Sequence, residues 1–210
     1  MVEAELSAWG WAFRLKGRSP MRRVRARAKI WQPEIRIRPY GRADRIAVLD
    51  GFEVRIENAE GEVLKRRGNG RSRFPSLRRR FWWDELDQAY FVGYALWNYL
   101  TLPALLIRTE IDWTELSPGR LEGVFPPYLP THCRTQRFEF DIETSLLRQH
   151  DYTAEVIGKR ALAAHLVLGH DEWSGIPYPS RRRVTPRAHD GRPRKRPLLV
   201  AIDVHRWQLI

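Results

Sequence analysis

The chain has one cysteine, Cys133, and two methionines in 210 residues. A single thiol excludes an internal disulfide and fits a reducing compartment. No Gly-rich phosphate loop followed by Lys-Ser or Lys-Thr is present, nor a nucleophile elbow, nor zinc-finger spacing, so the short signatures of those three chemistries are missing. No repeat and no linker-like stretch interrupts the chain, which predicts one domain over 1–210. The N-terminus does not read as a signal peptide, because Glu3 and Glu5 come first and the basic residues follow the apolar patch. A cytoplasmic location is the expectation.

Acidic residues are also short. Asp and Glu total 25 against 37 Lys and Arg, a net charge of +12 that comes mostly from arginine. Such a charge suits a solvated surface, an anionic membrane surface or nucleic acid. The arginines are spread along the strand-like segments, at Arg23, Arg25, Arg27, Arg36 and Arg38. Denser knots stand at Arg78–Arg80, Arg181–Arg183 and Arg192–Arg196. The spread favours the first two readings over nucleic acid.

What is plentiful is aromatic and apolar bulk: hydrophobic residues make up 43%, with nine tryptophans, enough for a sizeable core. From Ala89 to Ile107 no side chain is charged, and Asp84 stands where it can cap a helix over 84–102. Glu85 and Asp87 suit the positive end of its dipole. Pro103 stops it. Leu86, Tyr90, Gly93, Trp97 and Leu100 share one face and Phe91, Ala95 and Leu102 another, so the helix is apolar all round and must be enclosed by protein or lipid. Pro103 leaves it short for a bilayer, and Tyr90, Tyr94, Trp97 and Tyr99 sit mid-window instead of in two interfacial belts. Enclosure by protein is predicted.

Elsewhere the period is two. Val24, Ala26, Ala28 and Ile30 alternate with arginine and lysine, and Ile35/Ile37, Ile46–Leu49, Phe52–Ile56 and Val63–Arg67 follow as strands. After the helix come Arg108–Leu116, Leu121–Phe125, Thr135–Phe140, Leu146–Val156, Tyr178–Pro186 and Leu198–Ile210. Ala161–Leu168 stays ambiguous between helix and strand. Residues 1–20 read as a short N-terminal helical extension over Leu6–Leu15. The fold class is therefore α+β: a curled antiparallel half-barrel of about nine or ten strands around one apolar, aromatic-rich helix.

The segments Tyr90–Thr101, Phe140-Asp141…Leu146–Arg148, Asp151-Tyr152 and Gly175–Arg182 resemble a family of uncharacterised bacterial proteins. More loosely, the strand, Gly-x-Pro corner and strand are similar to the half-barrels of periplasmic lipoprotein carriers. That resemblance implies a concave apolar face able to hold lipid, although no signal peptide or lipobox is evident here.

Candidate sites follow. Asn98, among Tyr94, Trp97 and Tyr99, must find hydrogen bonds or cost about 1–3 kcal/mol. It either bonds backbone or orients a ligand's polar group. Tyr90, Tyr94, Trp97, Asn98 and Tyr99 are the expected ligand contacts, with Arg181, Arg182 and Arg183 facing an anionic head group. The expected partner is a hydrophobic or lipid-like molecule bound without catalysis or cofactor, with an anionic membrane surface as a second partner. One alternative is an enzyme using His150, Asp151 and Tyr152, and another is a basic nucleic-acid binder. His150, His165, His170, Asp151, Asp171 and Glu172 have no metal-ligand spacing and read as polar surface. His132 and Cys133, adjacent in an extended segment, point apart.

Overall fold

The computed structural model describes residues 1–74 and 76–210. Thirteen strands form one sheet: β1 (Val2–Trp9), β2 (Met21–Ala28), β3 (Glu34–Arg38), β4 (Ile46–Asp50), β5 (Glu53–Glu57), β6 (Val63–Arg67), β7 (Asp112–Ser117), β8 (Arg120–Val124), β9 (Thr135–Phe140), β10 (Leu147–Thr153), β11 (Leu162–Trp173), β12 (Ile176–Pro186) and β13 (Val200–Leu209). Four α-helices accompany them among the described residues: α1 (Trp11–Leu15), α2 (Leu77–Phe81), α3 (Glu85–Leu100) and α4 (Leu102–Leu105). The order across the sheet is β6-β5-β4-β3-β2-β1-β13-β12-β11-β10-β9-β8-β7, all antiparallel. Every neighbour is a sequence neighbour except β1 and β13, which join the two chain ends. The sheet is open, with β6 and β7 as its edges, and the chain crosses from one edge to the other through α2, α3 and α4.

Two expectations are corrected here. The count is thirteen strands, not nine or ten. The N-terminal segment is not a helical extension: Val2, Ala4, Leu6 and Ala8 are buried in alternation with more exposed neighbours, so it enters the sheet as β1 between β2 and β13. Only α1 is helical there. Gly10 turns the chain into it at φ 140°, where a Cβ would strike the Leu199 carbonyl oxygen. Of the segment Ala161–Leu168, ambiguous by propensity, all but Ala161 lies in the twelve-residue β11, paired on both sides. Pairing across a sheet overrides the helix preference of alanine.

α3 is touched from two sides of the same sheet, which shows that the sheet curls around it. Gly93 faces β4, and a Cβ there would lie 2.9 Å from Leu49 Cβ. On the other side, the Tyr99 hydroxyl lies 2.9 Å from that of Tyr152 on β10. Every α3 residue from Leu86 to Leu100 is buried. No helix among the described residues is long and apolar enough to cross a membrane.

The start of α3 is fixed by charge. Asp84 accepts from the Asp87 N–H at 2.8 Å and Asp87 accepts from the Asp84 N–H at 2.9 Å, a reciprocal capping box. Arg67 of β6 donates to both carboxylates, as does Arg79 of α2. Lys16 then ties α1 to α2 by donating to the carbonyls of Arg79 and Arg80. The helix ends at Leu100, two residues before the expected end at 102: Thr101 is its C-cap, and Pro103 sits in the first turn of α4, where it costs no hydrogen bond.

Candidate functional site

Antiparallel pairing puts the β1–β2, β10–β11 and β12–β13 connections at one end of the sheet. A cavity of about 810 Å³ opens there, between α3 and β10–β13. Its walls are apolar: Phe91 from α3, Leu162 and Ala163 from β11, Val184 from β12 and Val200 from β13. Leu15 of α1, Phe81 of α2 and Ile157 of the β10–β11 loop form the mouth. Strand alternation points Ala163, Val184 and Val200 inward, Leu162 borders the space from the start of β11, and α1 and α2 are stapled over the opening by Lys16.

The mouth is basic. Lys16, Arg80, Arg160, Arg187 and Arg194 border the cavity, and no carboxylate does among the described residues. Arg187 lies 3.7 Å from Asp151, whereas Arg80, Arg160 and Arg194 form no ion pair among the described residues. Burial, and then the neighbouring Arg80, hold the Lys16 ammonium below its ordinary pKa. The mouth therefore has uncompensated positive charge beside an apolar interior.

Beneath the cavity floor lies a polar cluster. The Tyr99 hydroxyl lies 2.6 Å from His132 Nε2, and the Tyr94 hydroxyl lies 3.3 Å from His132 Nδ1. The His132 ring stacks on Tyr152 at 3.7 Å. His150 Nε2 donates to Gln136 Oε1 at 2.7 Å, since the Gln136 amide nitrogen is committed to Thr131 and the Cys133 carbonyl. Neither ring nitrogen of His165 has a partner among the described residues. Burial holds all three histidines well below their ordinary pKa, His150 at about 3. Burial likewise pushes the Cys133 thiol up to about 11 while it donates to the Thr135 carbonyl, so it is a poor nucleophile. The reading of His150 and His165 as polar surface is corrected: both are buried, on the concave face.

The expected ligand residues divide. Tyr90, Tyr94 and Trp97 are wholly buried, and Trp97 Nε1 donates to the Lys29 carbonyl. The Asn98 amide donates to the Tyr94 and Pro130 carbonyls, so its bonds go to backbone. None of these four borders the large cavity. Tyr99 borders a separate void of about 30 Å³, room for one water, with Phe91 and Tyr152 between the two spaces. The arginine triplet is split by the strand period. Arg181 is exposed, Arg183 pairs with Asp203, and Arg182 points inward at 2% exposure, donating to the Tyr99 carbonyl with its guanidinium over the Tyr99 ring. None of the three lies at the mouth.

The group His150, Asp151 and Tyr152 is not brought together. His150 and Tyr152 face inward, while Asp151 faces out to Gln149 and Arg187. No three His, Cys, Asp or Glu converge on a metal position among the described residues. Phe91 and the mouth arginines are the cavity residues that sequence reasoning passed over as ligand contacts. Arg80 and Arg194 were visible as members of the knots Arg78–Arg80 and Arg192–Arg196, whereas Phe91, Arg160 and Arg187 carried no such signal.

No protein-family model matches the chain, and no curated protein does. Solved structures do match in fold. A LolA superfamily protein from Nitrosomonas europaea aligns over 100% of this chain and 84% of its own at TM-score 0.55 and 11% identity. A DUF1329 family protein from Desulfovibrio piger aligns over 99% and 84% at TM-score 0.54 and 16% identity. An outer membrane lipoprotein-sorting protein domain from Vibrio parahaemolyticus aligns over 99% and 84% at TM-score 0.50 and 9% identity. The chain thus has the LolA-like fold, in agreement with the resemblance to the lipoprotein-carrier half-barrel. The cytoplasmic expectation is corrected: the fold is shared with a LolA superfamily protein and with an outer membrane lipoprotein-sorting protein domain, which points away from the cytoplasm.

Proposed function

We propose that the protein binds an amphiphile without catalysis, taking an apolar chain into the cavity and leaving an anionic head at the mouth. The observation that carries this reading is the pairing of an apolar space of about 810 Å³ with basic residues and no carboxylate at its opening. That volume falls in the range of small-molecule sites, which bury most of a ligand against apolar walls and orient it with a few polar groups. A carboxylate or phosphate head would replace water on Arg80, Arg160 and Arg194 with charge-assisted hydrogen bonds. The fold neighbour described as sorting outer membrane lipoproteins lends support. The aromatic residues Tyr90, Tyr94 and Trp97 then act by holding α3 in place, and Phe91 is the helix residue that meets the ligand.

Titration with a fluorescent fatty acid tests this. Ala161→Trp, which fills the mouth from a loop position, should weaken binding at least about tenfold. Reversing charge at Arg160 and Arg194 should weaken the acid but leave its methyl ester nearly unchanged. Binding indifferent to both changes would place the ligand elsewhere.

A further inference from the structure

We infer that α1 and α2 form a lip that docks the cavity mouth onto an anionic phospholipid bilayer. Trp11 and Leu15 stand one helical turn apart on α1, at 49% and 52% exposure. Leu77 and Phe81 stand one turn apart on α2, at 70% and 72%. Leu15 and Phe81 border the same opening, and Trp82, beside Gly17, fills the angle between the helices. The exposed apolar side chains are therefore contiguous, a feature that marks a binding surface.

Charge selects the occupant. Arg14, Arg78, Arg80 and Arg160 surround this patch, and neither 10–20 nor 69–83 contains an acidic residue. The opposite end of the sheet carries Asp50, Asp141, Glu143, Asp171 and Glu172 at or near its turns. The cavity end carries acid as well, at Asp44, Glu60 and Glu62 in its more distant turns and at Glu155 and Asp190, which pair with Arg71 and Arg192. The basic, acid-free segments are thus those of the lip itself, and they coincide with its exposed tryptophan, leucine and phenylalanine side chains. Aromatic and aliphatic residues interleaved with arginine fit the headgroup boundary of an anionic membrane. There each basic residue is worth about fivefold in affinity and the apolar side chains enter the acyl margin. Nucleic acid would leave the apolar tips in water. Docking places the cavity opening against the lipid. It is independent of whether the cavity is filled.

Sedimentation with vesicles of phosphatidylcholine, with and without a minority of phosphatidylglycerol, tests the surface. The protein should bind the anionic vesicles, release at high salt, and ignore neutral ones. Leu77→Glu and Trp11→Glu, neither at a residue bordering the large cavity, should each lower vesicle binding at least about tenfold while fatty-acid binding stays unchanged. Equal binding to neutral vesicles, or variants that bind as the parent does, would overturn the lip. So would a concentration-dependent dimer that Leu77→Glu abolishes, which would assign the patch to a second copy.

Discussion

Between pH 7 and pH 5.5 the protein should lose about 4 kcal/mol of folding stability, well before its carboxylates titrate. His132, His150 and His165 are buried together on the concave face, and burial holds each below 6.5. Arg182 adds positive charge beside His150 and His165, and no carboxylate joins the cluster among its hydrogen-bond and ion-pair partners. The sign follows directly. Above about 6.5 neither state binds protons at these rings, so their contribution is complete. Below 6.5 the unfolded chain takes up a proton on each ring and the folded chain does not, so the unfolded state gains up to about 1.4 kcal/mol per histidine per pH unit. The loss continues down toward the folded value, about 3 for His150. Denaturant unfolding at the two pH values measures it, and His165→Phe should flatten the slope by about one proton. A flat profile from pH 7 to 5.5 would mean that these rings reach solvent.

Asp87→Ala should cost about 3–5 kcal/mol, the range for removing one partner of a buried ion pair. The Asp87 side chain is fully enclosed and accepts from Arg67, Arg79 and the Asp84 N–H. Its removal leaves two guanidinium groups short of a partner at 15% and 14% exposure and opens the helix cap. Glu122→Ala, whose partner Arg137 faces water, should change stability by less than about 1 kcal/mol. Because Arg79 belongs to α2, and α2 is held to α1 through Lys16, the same substitution should also loosen the lip. Paired urea titrations of the two variants decide it.

The enclosed helix was legible because its pattern is local: an Asp at the cap, an uncharged run and a proline. Most strands were legible from their alternation. β1 carried the same alternation, Val2, Ala4, Leu6 and Ala8, but its tryptophans and its continuation into α1 suggested one helix. In β10 a register shift between Leu147 and Gln149 moves His150 and Tyr152 onto the face that Leu147 occupies, which strict period-two alternation from Leu147 does not give. The cavity could not be read because its walls come from α1, α2, α3 and β10–β13, which only the β1–β13 pairing brings together. The polar tips of α3 suggested ligand contacts. Their partners, His132 and Tyr152, lie 33 and 53 residues from Tyr99.

A diazirine placed at the tail of a fatty acid, followed by peptide mapping, measures where an apolar chain lies. Crosslinks should fall on Phe91, Leu162, Ala163, Val184 and Val200, and Ala161→Trp should remove them. Labelling spread over the outer face of the sheet, or unchanged by that substitution, would contradict a ligand-holding cavity between α3 and β10–β13.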